Sequence, residues 1–228
     1  MSMRALIWKD LRLNRMILVM GATLFAAPFA IVAAAAWKEH WPGLPPVTRW
    51  PYGLLPAALV SLGLSLLTLV TLAGNSIASE RADRSAEFLA YLPPSRGAIL
   101  ASKVLVVLAP LGLVWAVDLL LAWVMTPATG PAPGGVGSVR ETVLGLAPAA
   151  VMLFGAAMLG SAVLDSPAIA TSLGIGATMA VIFALAMMGS MSGWTAAELK
   201  RNAAIAFLSL GGACFVTGCV CYLLRIGP

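Results

Sequence analysis

The sequence predicts an all-α protein that crosses a membrane six times. Of its 228 residues, 61% are hydrophobic and only 10% are charged, whereas soluble domains average roughly 25% charged residues. Apolar runs recur along the chain at the length of about 20 residues that a helix needs to cross a bilayer. The net charge of +5 therefore bears on topology and on anionic lipid. Basic patches interleaved with aromatics, which would indicate nucleic-acid binding, are absent from the sequence.

Residues 1–15 predict an amphipathic helix lying in the inner membrane interface, with Trp8 at headgroup depth. Four basic residues stand there against a single acid. The apolar residues share one broad side of the helix, which Asp10 and Asn14 interrupt; they are Met3, Leu6, Ile7, Leu11 and Leu13. A signal peptide is the alternative, but the following apolar run exceeds the usual hydrophobic region of about 7–15 residues.

Six predicted spans follow within a single transmembrane domain, 1–228. They cover about residues 16–36, 53–78, 98–125, 142–164, 168–190 and 203–224. Between the first two spans, residues 37–52 predict a proline-broken loop with aromatics at the membrane interface. Residues 126–138 are rich in Gly and Pro and predict a flexible outer loop.

Two shorter connections carry helix-start signals. Ser166 and Pro167 predict the N-cap and the first position of the fifth span. The pattern Thr195-x-x-Glu198 is a capping box, and it predicts a short helix before the sixth span.

The orientation is predicted from the Lys and Arg residues on each side of the membrane. With the N-terminus inside, nine lie in inner segments and five in outer loops. Because positive charge favours the cytoplasmic side, both termini are predicted in the cytoplasm of a multi-pass protein of the plasma (inner) membrane.

The longest polar stretch between two apolar runs is ERADRSAEFLAYLPPSRGAILASK, residues 80–103. It predicts a short helix with a charged face, in which Glu80 and Arg84 are spaced for an i,i+4 pair. The face comprises Glu80, Arg81, Asp83, Arg84 and Glu87, and an apolar tip follows at Phe88, Tyr91 and Leu92. Pro93-Pro94 ends this helix, and Ser95 is placed to cap the next one.

Two interpretations of this polar stretch are open. Its charges alone are typical of any cytoplasmic loop in a multi-span protein. The aromatic tip, the double proline and the helix restart favour a segment that docks on another protein.

No catalytic site is predicted in this chain, and no cofactor. A nucleotide-binding P-loop requires a lysine directly after a glycine, and none of the four lysines follows one. His40 is predicted as a solvated loop residue without metal-ligand neighbours. Three cysteines lie inside the sixth span without a CxxC pattern, at Cys214, Cys219 and Cys221, where small core residues are the default.

Asp118 stands alone in the apolar third span, within VWAVDLLLAW. A carboxylate inside a membrane span must face a cavity, find a partner or take up a proton. The two readings are a residue that lines a substrate path or a proton-linked step, and a polar group bonded to a neighbouring helix. Small residues in several spans permit close helix packing and only weakly indicate a dimer face; they are Gly74, Ala78, Ala156, Gly160, Gly211 and Gly212.

The chain resembles the permease subunits of ABC-2 type ATP-binding-cassette transporters. The opening ALIWKDLRLNR, the six spans and the loop between spans two and three carry this resemblance, the last at Glu80, Arg81, Leu92, Pro93, Ser95, Arg96 and Lys103. In one respect it departs from the family, because only residues 191–202 are left for the re-entrant element that often precedes the last span.

The resemblance implies a permease that works with a separate cytoplasmic ATPase, which binds ATP and Mg²⁺, and with a second copy of itself or a related chain. The loop 79–97 would hold the coupling helix, with contacts from Glu80, Arg81, Arg84, Glu87, Phe88, Tyr91 and Leu92. ATP-driven export is the predicted function, with the substrate open. The alternatives are a non-transporting membrane anchor or assembly factor, and a proton-linked secondary carrier that uses Asp118.

Overall fold

The computed structural model describes residues 3–37, 46–82, 95–129 and 136–224. Within these ranges the chain forms seven helices and no strand, which confirms the all-α class. In chain order they are α1 (Met3–Leu13), α2 (Arg15–Trp37), α3 (Pro46–Ala82), α4 (Arg96–Thr129), α5 (Val136–Val163), α6 (Pro167–Ser192) and α7 (Ala196–Leu224).

Six of these helices, α2 to α7, are long and apolar enough to cross a membrane. Their apolar stretches have mean hydropathies between 2.0 and 2.5, and each satisfies its backbone hydrogen bonds internally, as hydrocarbon requires. The chain is therefore a multi-pass membrane protein with the six spans that the sequence predicts.

Helix α3 is the centre of the bundle. It packs against α2, α4, α5 and α6. Of the residues in its most apolar stretch, 56% are buried, compared with 6% in that of α2. The core runs along α3 and α5 and includes Leu69, Leu72 and Met158. Large apolar side chains on the outer helices, such as Trp123 and Phe183, are exposed, which suits a surface that faces lipid.

Glycines let some of these helices approach closely. A Cβ on Gly155 of α5 would collide with the backbone carbonyl of Gly211 on α7, and one on Gly74 of α3 would lie 2.7 Å from the backbone nitrogen of Thr171 on α6. Gly211 therefore serves packing within the chain. Gly212, its neighbour, has open space where a Cβ would point.

The predicted helix starts are confirmed by their hydrogen bonds. The hydroxyls of Ser95 and Ser166 accept from the backbone N–H three residues on, at 3.3 and 3.5 Å, and Pro167 begins α6. In the capping box the Glu198 carboxylate accepts from the Thr195 backbone N–H at 2.8 Å, and the Thr195 hydroxyl accepts in return at 3.3 Å.

The prediction of a separate short helix before the sixth span is wrong. The capping box opens α7 itself, which continues without a break from Ala196 to Leu224. Gly193 ends α6 in the left-handed conformation, with φ of 64°. The turn between α6 and α7 therefore leaves no room for a re-entrant element at 191–202.

The predicted loops were also too long. Helix α3 begins at Pro46 rather than after residue 52, because a proline is well suited to a first helical turn. Helix α4 runs to Thr129, and α5 begins at Val136, so both extend into the predicted loop 126–138. Composition marks where a turn lies more reliably than how far it extends.

Candidate functional site

The polar ends of three helices meet at one end of the bundle. Glu80 lies in the last turns of α3, Lys103 lies near the start of α4, and α1 packs against α4. We call this the α1 end. The opposite end, where Lys200 pairs with Glu141 at 2.8 Å, is the far end.

Four charged side chains form an ion network at the α1 end. The Lys103 ammonium lies 2.8 Å from Glu80 Oε2 and 4.0 Å from Asp10 Oδ1, and it donates to the backbone carbonyl of Ser76. The Lys9 ammonium donates to Glu80 Oε1. Asp10, Glu80 and Lys103 are 4%, 4% and 3% exposed. Among the described residues, two ammonium groups lie beside two carboxyl groups, and this pairing of opposite formal charges makes the burial tolerable.

Neutral side chains complete the network. The Ser102 hydroxyl donates to Asp10 Oδ2 at 2.7 Å. The Asn75 amide on α3 donates to Asn14 Oδ1 at 2.8 Å, and the Asn14 amide donates to the carbonyl of Asp10 at 2.9 Å. These bonds join α1 to both α3 and α4. The network therefore links the three helices α1, α3 and α4.

Helix α1 docks through the face that looks interrupted in the sequence. Leu6, Asp10 and Asn14 are all buried, and residues four apart lie on one side of a helix. The helix itself is confirmed at Met3–Leu13. However, the two polar residues that break its apolar side are the ones that fix it to the bundle.

The opposite side of α1 carries a stripe of exposed residues four apart: Arg4, Trp8 and Arg12. Trp8 is 69% exposed. We call this set the basic stripe. It presents two guanidinium groups and an indole ring away from the residues that dock α1.

A second linkage joins α3 to α5 at the same end. The Arg81 guanidinium contacts Asp165 at 2.7 Å and donates to the carbonyl of Ala162 at 2.8 Å. The Ser161 hydroxyl accepts from two consecutive backbone N–H groups of α3, at 2.8 and 2.9 Å. Both charged residues that end α3 are therefore engaged within the bundle.

This arrangement differs from the exposed charged face predicted for Glu80 and Arg81. Both residues belong to α3, and Glu80 is buried. The other predicted contact residues, Arg84, Glu87, Phe88, Tyr91 and Leu92, lie outside the described residues, as does Pro93-Pro94. Their role in coupling stays a prediction.

Asp118 of α4 also lies between α3 and α4, but in the half of the bundle nearer the far end. It is fully buried, and it faces the hydroxyl of Ser61 on α3, which is also fully buried. Ser61 Oγ and both carboxyl oxygens of Asp118 lack a hydrogen bond of good geometry among the described residues. One turn away, the Trp115 indole donates to Ser65 Oγ at 2.9 Å. Asp118 therefore belongs to a polar seam between α3 and α4.

Sequence reasoning missed the network as a unit, although it singled out several members. In the sequence Asp10 looks like an interruption of the apolar side, and Lys103 appears only as one of the loop's positive charges and as part of the family resemblance. A signal was present in the spacing of Leu6, Asp10 and Asn14, because polar residues aligned with a buried apolar residue indicate a docked polar face. Within the described ranges, no three His, Cys, Asp or Glu side chains lie close enough to hold a metal ion.

Comparisons with protein-family models, with curated proteins and with solved structures find no match to this chain.

Proposed function

We propose that the chain is the permease subunit of an ATP-driven exporter, working with a separate cytoplasmic ATP-binding-cassette ATPase. The observation that carries the proposal is the ion pair between Glu80 and Lys103. These residues lie on either side of residues 83–94, which connect α3 to α4. The connection therefore joins two helix ends, that of α3 and that of α4, which the ion pair holds together.

A partner that moves such a connection moves both helices. Lys9 and Asp10 extend the linkage to α1, and Arg81 extends it to α5 through Asp165. Since α3 contacts four other helices, displacement at the α1 end is passed to the whole bundle. A transporter driven by an external ATPase needs this property.

The partners in this proposal follow from the resemblance to ABC-2 permeases. ATP and Mg²⁺ are bound by the ATPase, and a second copy of this permease or a related one completes the pathway. Nine basic residues lie in the predicted inner segments and five in the predicted outer loops, and this count supports placing the α1 end in the cytoplasm of the plasma membrane. The basic stripe on α1 then contacts anionic lipid headgroups.

The test begins with the neighbouring reading frame, which should encode a protein with the P-loop GxxxxGK[ST], and then measures recovery of that ATPase. We expect the double variant Phe88→Ala, Tyr91→Ala to keep its helical content and monodisperse elution but to lose most of the ATPase in a detergent pull-down. Aromatic side chains seated in a partner's groove are strong anchors, and truncating a central one costs about 2 kcal/mol or more.

The matched control is Trp123→Ala with Phe183→Ala, which removes two exposed aromatic rings from spanning helices. This control should recover the ATPase as the unaltered chain does. Equal recovery with both double variants would contradict the coupling role. If the ATPase binds but its ATP hydrolysis is indifferent to Phe88 and Tyr91, the membrane-anchor alternative is favoured instead.

A further inference from the structure

The polar seam between α3 and α4 holds a group of three buried oxygen atoms that the linkage at the α1 end does not involve. They are Ser61 Oγ and the two carboxyl oxygens of Asp118, each without a hydrogen bond of good geometry in the described part of the chain. Both residues are 0% exposed. Buried polar atoms in this condition indicate a missing partner.

We propose that Asp118 and Ser61 form a proton-binding site, in which Asp118 holds the proton and donates a hydrogen bond to the Ser61 hydroxyl. One added hydrogen converts an acceptor-only carboxylate into a donor. A hydroxyl can donate one hydrogen bond to a carboxylate, as Ser102 does to Asp10, but that bond does not offset the cost of burying an anion that forms no ion pair among the described residues. A neutral carboxyl removes this cost and can itself donate to Ser61 Oγ.

The surroundings favour a proton over a metal cation or a charged partner. None of the ion pairs formed by the described residues involves Asp118; the buried ones gather at the α1 end, at Lys9, Asp10, Glu80 and Lys103. Asp118 lies roughly 22 Å along α4 from Lys103, at 1.5 Å per residue. Three oxygens are too few to replace the hydration shell of a metal ion, which takes about six ligands.

The neighbouring turn shows that polar side chains of α3 and α4 can form hydrogen bonds with each other in this part of the bundle. Trp115 donates to Ser65, whose hydroxyl in turn donates to the Leu62 carbonyl at 2.6 Å. Ser61 and Asp118 occupy the next turn of the same two helices and repeat the pattern of a donor on α4 and a hydroxyl acceptor on α3. A protonated Asp118 is the donor that completes it.

The site has a consequence for movement. While α3 and α4 stay packed, the neutral carboxyl is compatible with the bundle interior. If the two helices separated and water reached Asp118, the carboxyl would give its proton to that water and become an anion stabilised by hydration. Closing the seam again requires that Asp118 take a proton back. This inference does not rest on the proposed ATPase partner.

Infrared spectroscopy tests the proposal directly. The full chain is purified in dodecyl maltoside, which has no carbonyl group of its own, with and without ¹³C in the aspartate carboxyls. The chain has four aspartates. At near-neutral pH we expect the difference spectrum to contain the C=O stretch of a protonated carboxyl, and we expect Asp118→Asn to remove it.

Two further variants make the assignment specific. Asp165→Asn, at an exposed aspartate, should leave the band in place. Ser61→Ala should move it to higher wavenumber, because the C=O stretch rises when a carboxyl loses a hydrogen bond. Only carboxylate bands in the labelled unaltered chain would overturn the proposal, and this measurement needs no variant to fold. A protonated band that survives Asp118→Asn, or that Ser61→Ala leaves unshifted, would also overturn it.

Discussion

Glu80 at the α1 end and Asp118 in the far half are both carboxylates buried between α3 and α4, yet their surroundings differ. Glu80 lies between the ammonium groups of Lys9 and Lys103. Asp118 faces the hydroxyl of Ser61. The negative charge of Glu80 is therefore matched by positive charges beside it. For Asp118, the structure offers a hydroxyl and no cation among the described residues.

The contrast separates two ways to keep an acid inside a bundle. A balanced ion network is sensitive to the loss of any one member, because the remaining charge is left buried without compensation. A neutral hydrogen-bonded pair within a membrane contributes little, since its members find other partners when helices separate. The network therefore suits a rigid linkage, and the pair suits a place where two helices part.

The largest effect is expected for Lys103→Met. This change removes the buried ammonium group that lies beside both Glu80 and Asp10, and breaking a buried ion pair from one side typically costs about 3–5 kcal/mol. We expect the free energy of unfolding, measured by titration with SDS in mixed micelles, to fall by that order.

The control is Lys200→Met at the far end, where both partners of the ion pair are about two-thirds exposed. It should change stability little, because solvent screens that pair. In addition, Lys103→Met combined with Glu80→Gln should cost less than the sum of the single changes. Strict additivity would show that the two side chains do not stabilise each other.

An intermediate effect is expected for Ser102→Ala, which removes the hydroxyl that donates to Asp10. A hydrogen bond to a charged group contributes about 1.5–3 kcal/mol. Because Ser102 lies on α4 and Asp10 on α1, the loss should appear in both thermal unfolding and faster hydrogen exchange of α1 amides. Ser209→Ala is the matched control, since its exposed hydroxyl bonds only its own helix. Unchanged exchange in α1 after Ser102→Ala would mean that this bond does not hold the helix.

The sequence predicts the six spans and the three capped helix starts, those of α4, α6 and α7, because both kinds of signal are local. A span needs only a run of apolar residues of sufficient length, and a cap needs only a side chain near its own backbone, as at Ser166 and Thr195. The ends of α3, α4 and α5 were placed less well. There, Pro and Gly were read as loop formers, although several of them lie inside helices.

Local sequence patterns cannot predict the ion network. Glu80 pairs with Lys9 and Lys103, from two other helices, and no local spacing indicates these partners. The predicted i,i+4 pair of Glu80 with Arg84 lies outside the described residues and stays a prediction. Periodicity shows that residues share a face, as it does for Asp10 and Asn14, but it does not show which helix covers that face. A buried pair between distant positions depends on how helices assemble.

The smallest effect on stability is expected for Ser61→Ala, and its size distinguishes the two acids. If Asp118 is neutral, the change removes one hydrogen bond between uncharged groups inside the membrane, which averages about 0.6 kcal/mol. If Asp118 is an anion, the change removes a polar neighbour from a buried charge, and the loss should approach that of Ser102→Ala. Ser61 and Ser102 are both 0% exposed, and they lie on facing helices. The two Ser→Ala changes therefore remove the same hydroxyl from equally buried positions. SDS unfolding of both variants side by side measures the difference, and equal losses would contradict a neutral Asp118.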